Sequence, residues 1–169
     1  MTRKTSAYAR KRRQPDRDRC LDSITAARMN NTRFKPAELD RLLGPAQRAL
    51  ASARAGTCSY DDLVNLSTAM HKGRAIDDAG IYRGLRDRLD AADNVLLAIE
   101  QRAMVSGTWC APTLYGREIT VLDDLVWAYR VMLLEVTYAE FLRAERLAIA
   151  RVATDGGRVI HVEKQEVNA

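Results

Sequence analysis

Apolar side chains recur along this chain at steps of three and four residues, the spacing that lines one face of an α-helix. From Pro36 the positions Leu39, Leu42, Leu43, Ala46, Leu50 and Ala53 trace such a face. Pro36 falls at a first helical turn, where its missing N–H is harmless. Gly44-Pro45 interrupts the face, and Pro45 cannot donate to the carbonyl of Arg41, so a break or kink is predicted there. Gly56 is placed to end the segment. Ser59, followed by Tyr60, Asp61 and Asp62, reads as an N-cap with carboxylates beside the positive helix end. Leu63, Leu66 and Met70 continue as an apolar face. Gly73, Gly80 and Gly84 come next, each costing about 1 kcal/mol against Ala inside a helix. They predict either a break near 73–80 or a close approach by another helix, and the break is the preferred reading.

The clearest periodicity follows. Leu85, Leu89, Ala92, Leu96, Ile99 and Ala103 alternate steps of four and three, a coiled-coil seam. A connection over 106–117 carries Trp109, Pro112 and Tyr115. A long helix over 117–153 is predicted after it, with a second seam at Leu122, Val126, Tyr129, Leu133 and Val136. Beyond Val136 the apolar stripe shifts to Phe141, Leu142 and Ile149, read as the drift of a straight helix against a heptad repeat. Before these segments, Asp16 caps an expected short helix over 17–29 with Cys20, Leu21, Ile24 and Ala27 as its face. After them, residues 158–162 are the only strand-like run.

The fold class this predicts is all-α: an elongated helical bundle centred on a long antiparallel pair, 81–105 against 117–153. A helix of some 36 residues would reach about 54 Å. Seam length beyond what one partner covers leaves a homodimer open. The expected organisation is a basic N-terminal arm over 1–19, a helical domain over 20–155 and an extended C-terminal tail over 156–169.

Charge sharpens this division. Residues 1–19 hold eight Arg or Lys against two Asp, while the remaining 150 residues hold 19 basic and 20 acidic side chains. The net charge of +5 and the isoelectric point near 9.3 therefore belong to the arm. Arg3, Lys4, Arg10, Lys11, Arg12, Arg13, Arg17 and Arg19 could neutralise phosphates, and Tyr8 could stack on a base. Three cysteines (Cys20, Cys58 and Cys110) form no CxxC pair and suit a reducing compartment. No secretory signal or membrane-spanning run is visible, so a cytoplasmic location without membrane contact is expected.

Catalytic chemistry finds little material. His71 and His161 lie far apart in sequence, and His71 reads as a residue at a helix end. The pairs Asp61-Asp62, Asp77-Asp78 and Asp123-Asp124 could bind a metal only by converging, since neighbours on a helix point about 100° apart. Asp87, Asp90 and Asp93 interleave with Arg83, Arg86 and Arg88, which reads as a solvated face stabilised within one helix. No phosphate loop, nucleophile elbow or nucleotide fingerprint occurs, so no cofactor, no metal and no enzymatic activity are expected. Trp109 and Tyr115 are the aromatic candidates for contact with a protein partner, against the simpler role of covering the end of the core.

The run Gly107-Thr-Trp-Cys-Ala-Pro-Thr-Leu-Tyr115, a long helix after it and the ending Asp155-Gly-Gly-Arg-Val-Ile160 resemble helical proteins of proteobacterial phages, prophages and plasmids. The resemblance covers 36–162. It implies a non-enzymatic accessory protein of a mobile element that works by binding another protein, with an inhibitor of a defence system such as CRISPR–Cas as its most concrete form. Nucleic-acid binding through the arm is the alternative.

Overall fold

Capping chemistry decides where these helices begin. The structure, a computed structural model, describes residues 31–155 apart from residue 106. Within them lie α1 (Pro36–Arg54), α2 (Tyr60–Asp78), α3 (Arg86–Ala103), α4 (Gly116–Glu135) and α5 (Tyr138–Asp155). The arm, the helix expected over 17–29 and the tail with its strand-like run fall outside the described residues. No strand forms among those described, and the chain builds the all-α bundle its periodicity predicts. At α1 the Lys35 N–H donates to the Glu38 carboxylate at 2.8 Å. At α2 Ser59 and Asp62 cap each other: the Asp62 N–H donates to Ser59 Oγ at 3.1 Å, and the Ser59 N–H donates to the Asp62 carboxylate at 2.9 Å.

The helix predicted over 117–153 is two helices. Val136 is extended (φ −82°, ψ 146°), and Thr137 restarts the chain as an N-cap. The Thr137 N–H donates to the Glu140 carboxylate at 2.8 Å, and the Glu140 N–H donates back to Thr137 Oγ1 at 3.3 Å. Segment 31–35 fills the break. The Tyr138 N–H donates to the Thr32 carbonyl at 3.0 Å, Arg33 makes an isolated antiparallel bridge with Thr137, and Phe34 meets Tyr138 and Phe141 edge to face. The shift of the apolar stripe after Val136 therefore marks a new helix with its own buried face, Phe141 and Ala144. With at most 20 residues per described helix, lengths stop near 30 Å, and the 54 Å helix behind the expected elongation does not form.

Two further expectations change. α1 runs through Pro45 without breaking. Losing the one hydrogen bond to the Arg41 carbonyl is offset by burial of Leu43, Ala46, Ala49, Leu50 and Ala53 on one face. α2 likewise runs through Gly73 to Asp78, and the chain reverses over 79–85. Gly80 supplies the left-handed residue there (φ +69°), and the Ile81 N–H donates to the Ile76 carbonyl at 3.2 Å, closing the helix end. Gly73 serves the other predicted purpose, close approach: a Cβ there would lie 3.0 Å from Leu89 Cδ2 and 3.5 Å from the Met132 sulfur.

α3 and α4 do pack antiparallel, with Arg102 beside Glu118 at one end and Arg88 beside Asp124 nearer the other. They are not the centre of the bundle. α2 is, touching α1, α3, α4 and α5, while α4 touches α1, α2 and α3. The core joins Leu50, Leu66, Met70 and Ile76 to the seam residues Leu89, Leu96, Ile99, Leu122, Val126, Leu133 and Val136, all buried.

Nor is the charged ladder of α3 stabilised within one helix. Arg74 of α2 reaches across to Asp90 and, at 3.0 Å, to Asp93. Arg86 turns back to Asp77 and Asp78, and Arg88 lies 3.3 Å from Asp124 of α4. Each pair has at least one side chain open to water, though Asp77 is only 12% exposed, so each is worth on the order of 1 kcal/mol. Two substitutions separate core from surface. Leu96→Ala is expected to destabilise the fold by about 2–5 kcal/mol. Asp90→Ala, which leaves Asp93 with Arg74, should change stability by less than about 1 kcal/mol in the same urea titration.

Candidate protein-binding face

The residues best placed to meet a partner lie along the junction of α3 and α4. Arg88, Val95 and Arg102 are spaced by seven, so they occupy one face of α3, and each arginine turns toward α4. At one end the Arg88 guanidinium stands 4.7 Å from the centre of the Trp127 ring while also pairing with Asp124. At the other, the Arg102 and Arg117 guanidinium groups stand 5.0 and 5.5 Å from the Tyr115 ring. Trp127 is 49% exposed and Tyr115 52%. Fourteen residues separate the two arginines, which places the pairs about 21 Å apart along the helix. Leu134, one heptad beyond Trp127 on α4, extends the exposed apolar surface.

Trp and Arg are the residues that dominate protein contacts when both are available at a surface. Here each ring stacks on a guanidinium, a contact worth about 0.5–1 kcal/mol at an exposed site. The sequence hides Trp127 inside a helical apolar run, between Val126 and Ala128, both buried. Its signal is phase: it falls one residue off the seam of Leu122, Val126, Tyr129 and Leu133.

The two aromatics expected to act together part company. Trp109 turns inward, its Nε1–H donating to the Cys58 carbonyl at 3.3 Å and its ring edge-on to Tyr60 at 5.5 Å. It covers the end of the core. Tyr115 turns outward, and its backbone N–H donates to the Glu118 carboxylate at 2.9 Å. Arg3, Lys4, Arg10, Lys11, Arg12, Arg13, Arg17 and Arg19 lie outside the described residues.

The three Asp pairs are occupied at different places. Asp62 caps α2, Asp77 and Asp78 hold Arg86, Asp123 holds Arg54, and Asp124 holds Arg88. Among the described residues no three His, Cys, Asp or Glu side chains gather as a metal site. His71 is exposed and lies seven residues before the end of α2, so the helix-end placement expected for it does not hold. Burial, and then the Asp62 carboxylate, push the Cys58 thiol up, away from the reactive thiolate. No helix among the described residues is long and apolar enough to cross a membrane.

One buried charge supports the face. Glu118 is 4% exposed, and Arg102 clamps it with two parallel hydrogen bonds of 2.8 Å. Burial alone would raise its pKa, but Arg102 and the Tyr115 N–H hold the carboxyl below the usual carboxylate value. Because the folded pKa is depressed, the stabilisation is complete above the unfolded value and is lost as pH falls through the folded one. Glu118→Gln should therefore be less stable than the parent at pH 7, and the difference should shrink as thermal melts are taken to pH 3.

Comparison with known proteins leaves the geometry to speak for itself: no family model, curated protein or solved structure matches this chain.

Proposed function

We propose that this chain is a non-enzymatic accessory protein of a mobile genetic element, acting by binding another protein through the α3–α4 face. The observation that carries the reading is the pair of outward aromatics, Trp127 and Tyr115, each held by arginine on one side of the bundle. Two large rings half in solvent on one side of the bundle offer apolar area that a partner surface would bury. The resemblance to helical proteins of phages and plasmids makes a component of bacterial defence, such as a CRISPR–Cas effector, the most concrete target.

The basic arm supports a second reading. Eight basic side chains within 19 residues suffice for phosphate contacts whose strength falls steeply with salt.

The two readings predict different losses. A Trp127→Ala, Tyr115→Ala double variant alters exposed positions, so its circular dichroism should match the parent. Its affinity for a captured defence effector should fall about 30-fold or more, as for hot-spot residues worth about 2 kcal/mol. In a plaque assay on a defended strain, the parent should restore phage growth and the double variant should not; equal protection by both would exclude the face. Removing residues 1–19 should leave these results unchanged, yet abolish any low-salt mobility shift of DNA or RNA. Nucleic-acid binding that survives the truncation would exclude the arm.

A further inference from the structure

α5 packs on α2, its one extensive helical neighbour among the described residues, with Phe141 and Ala144 buried. Farther round the helix, Tyr138, Leu142 and Ile149 lie within about 40° of one another, at about 100° per residue. Tyr138 is 42% exposed and Ile149 70%, while Leu142 is part-buried. Glu145, the charged residue inside this stripe, is paired with Lys72 at 2.9 Å. Single exposed apolar residues are ordinary; a stripe that continues a buried face is a surface for something to cover. The chain itself already covers one end. Phe34 stands edge to face with Tyr138, the Tyr138 N–H donates to the Thr32 carbonyl at 3.0 Å, and Arg33 bridges Thr137 in the antiparallel sense. That pairing fixes a direction: as the numbering falls from Arg33 to residue 31, the chain advances from Thr137 along α5.

We propose that residues 17–29, which lie outside the described residues, dock as an amphipathic helix antiparallel to α5 and cover this stripe. Their sequence supplies the matching face: Cys20, Ile24 and Ala27 recur at steps of four and three, with Leu21 beside them. Lengths agree. A helix over 17–29 spans about 20 Å, and Tyr138 to Ile149 spans about 17 Å. With the same rise on both sides, Ala27 falls beside Leu142, Ile24 between Leu142 and Ile149, and Cys20 beside Ile149. The tether through residues 30 and 31 is short, which holds the segment at an effective concentration of about millimolar or above. A second copy of the chain lacks that advantage, and three side chains are few beside the roughly 20–30 residues per side of a stable interface. Docked this way, the segment also fixes where the basic arm leaves the body, at the C-terminal end of α5.

The test is NMR of the full-length, ¹³C,¹⁵N-labelled chain. Isolated helices shorter than about 12–15 residues are marginal in water, so helicity over 17–29 itself reports docking. Expected are helical Cα shifts over that segment and NOEs from the Ile24 methyls to those of Leu142 and Ile149. Amide exchange at residues 21–27 should be slowed about tenfold or more relative to a random coil. Ile149→Asp alters an exposed position, so the amides of α2 should keep their protection while 17–29 lose theirs. Ile24→Asp, within the segment, should release it in the same way. Leu147→Asp, on the opposite side of α5, should leave 17–29 as in the parent. Random-coil shifts over 17–29, helical shifts that survive Ile149→Asp, or equal release by Leu147→Asp would each overturn the proposal. So would NOEs seen only between molecules in a mixture of labelled and unlabelled chains, which would assign the stripe to a second copy. None of these outcomes bears on Trp127 and Tyr115, so the failure of this contact and the failure of the α3–α4 face are distinguishable.

Discussion

The arrangement of the bundle depends on a side chain that is absent. Gly73 is buried in the middle of α2, where Leu89 of α3 and Met132 of α4 close over it. Both neighbours are fully buried, so a methyl group here would press on Leu89 at 3.0 Å while only touching Met132 at 3.5 Å. The helix loses about 1 kcal/mol of intrinsic propensity at this residue. In return three helices meet closely, and α2 becomes the element that the other four touch. A side chain longer than a methyl group would have to displace Leu89 or Met132 from the core they share. The Arg88 and Arg102 stacks lie on the same two helices, α3 and α4, that close over this glycine.

Around this centre, ion pairs record which helix lies beside which. Arg54 joins α1 to α4, Lys72 joins α2 to α5, Arg74 joins α2 to α3, and Arg88 and Arg102 join α3 to α4. Most are half-exposed and contribute little net stability. Their value lies in specificity, because helices with similar apolar stripes could pack in several orders, and a wrong order leaves these charges without partners. That is why charges which look self-sufficient along α3 are shared with its neighbours. The spacing permits both arrangements, and only the tertiary neighbours choose between them.

The elements were largely legible in the chain, and the misreadings have specific physical causes. α1 and α3 follow from apolar spacing, and the start of α2 from Ser59 and Asp62, because amphipathic faces and capping boxes are local. The division between α4 and α5 was legible too, in Thr137-Tyr-Ala-Glu140, a capping box of the same kind. Its signal was masked because Val136 completes the preceding seam and the shifted stripe resembles ordinary drift. Pro45 misleads in the opposite direction: a local penalty of about 3 kcal/mol is overridden by an apolar face that is worth more if the helix continues. The exposed face was harder to see. Trp127 reads as core in a one-dimensional pattern, and only its neighbours, burial and the guanidinium above it reveal that it points out.

Two polar side chains enter this core, and they differ in how far it satisfies them. Glu118 is buried, but every demand it makes is met: both oxygens are held by Arg102, and one also accepts the N–H that begins α4. A group so completely partnered has nothing left to offer a ligand, and its role is to fix Tyr115 and the start of the helix. Tyr129 is buried more deeply, and its hydroxyl has no hydrogen-bond partner among the described residues. The other unpartnered buried atom, Arg86 Nη1, belongs to a guanidinium whose remaining nitrogens already bind Asp77 and Asp78, so its charge is compensated. Tyr129 has one polar atom and no such compensation. Phenylalanine would fill the same space without the cost of burying a hydroxyl. A tyrosine at that position keeps a hydroxyl that the packing around it leaves unpartnered, at a cost in stability that phenylalanine would not carry.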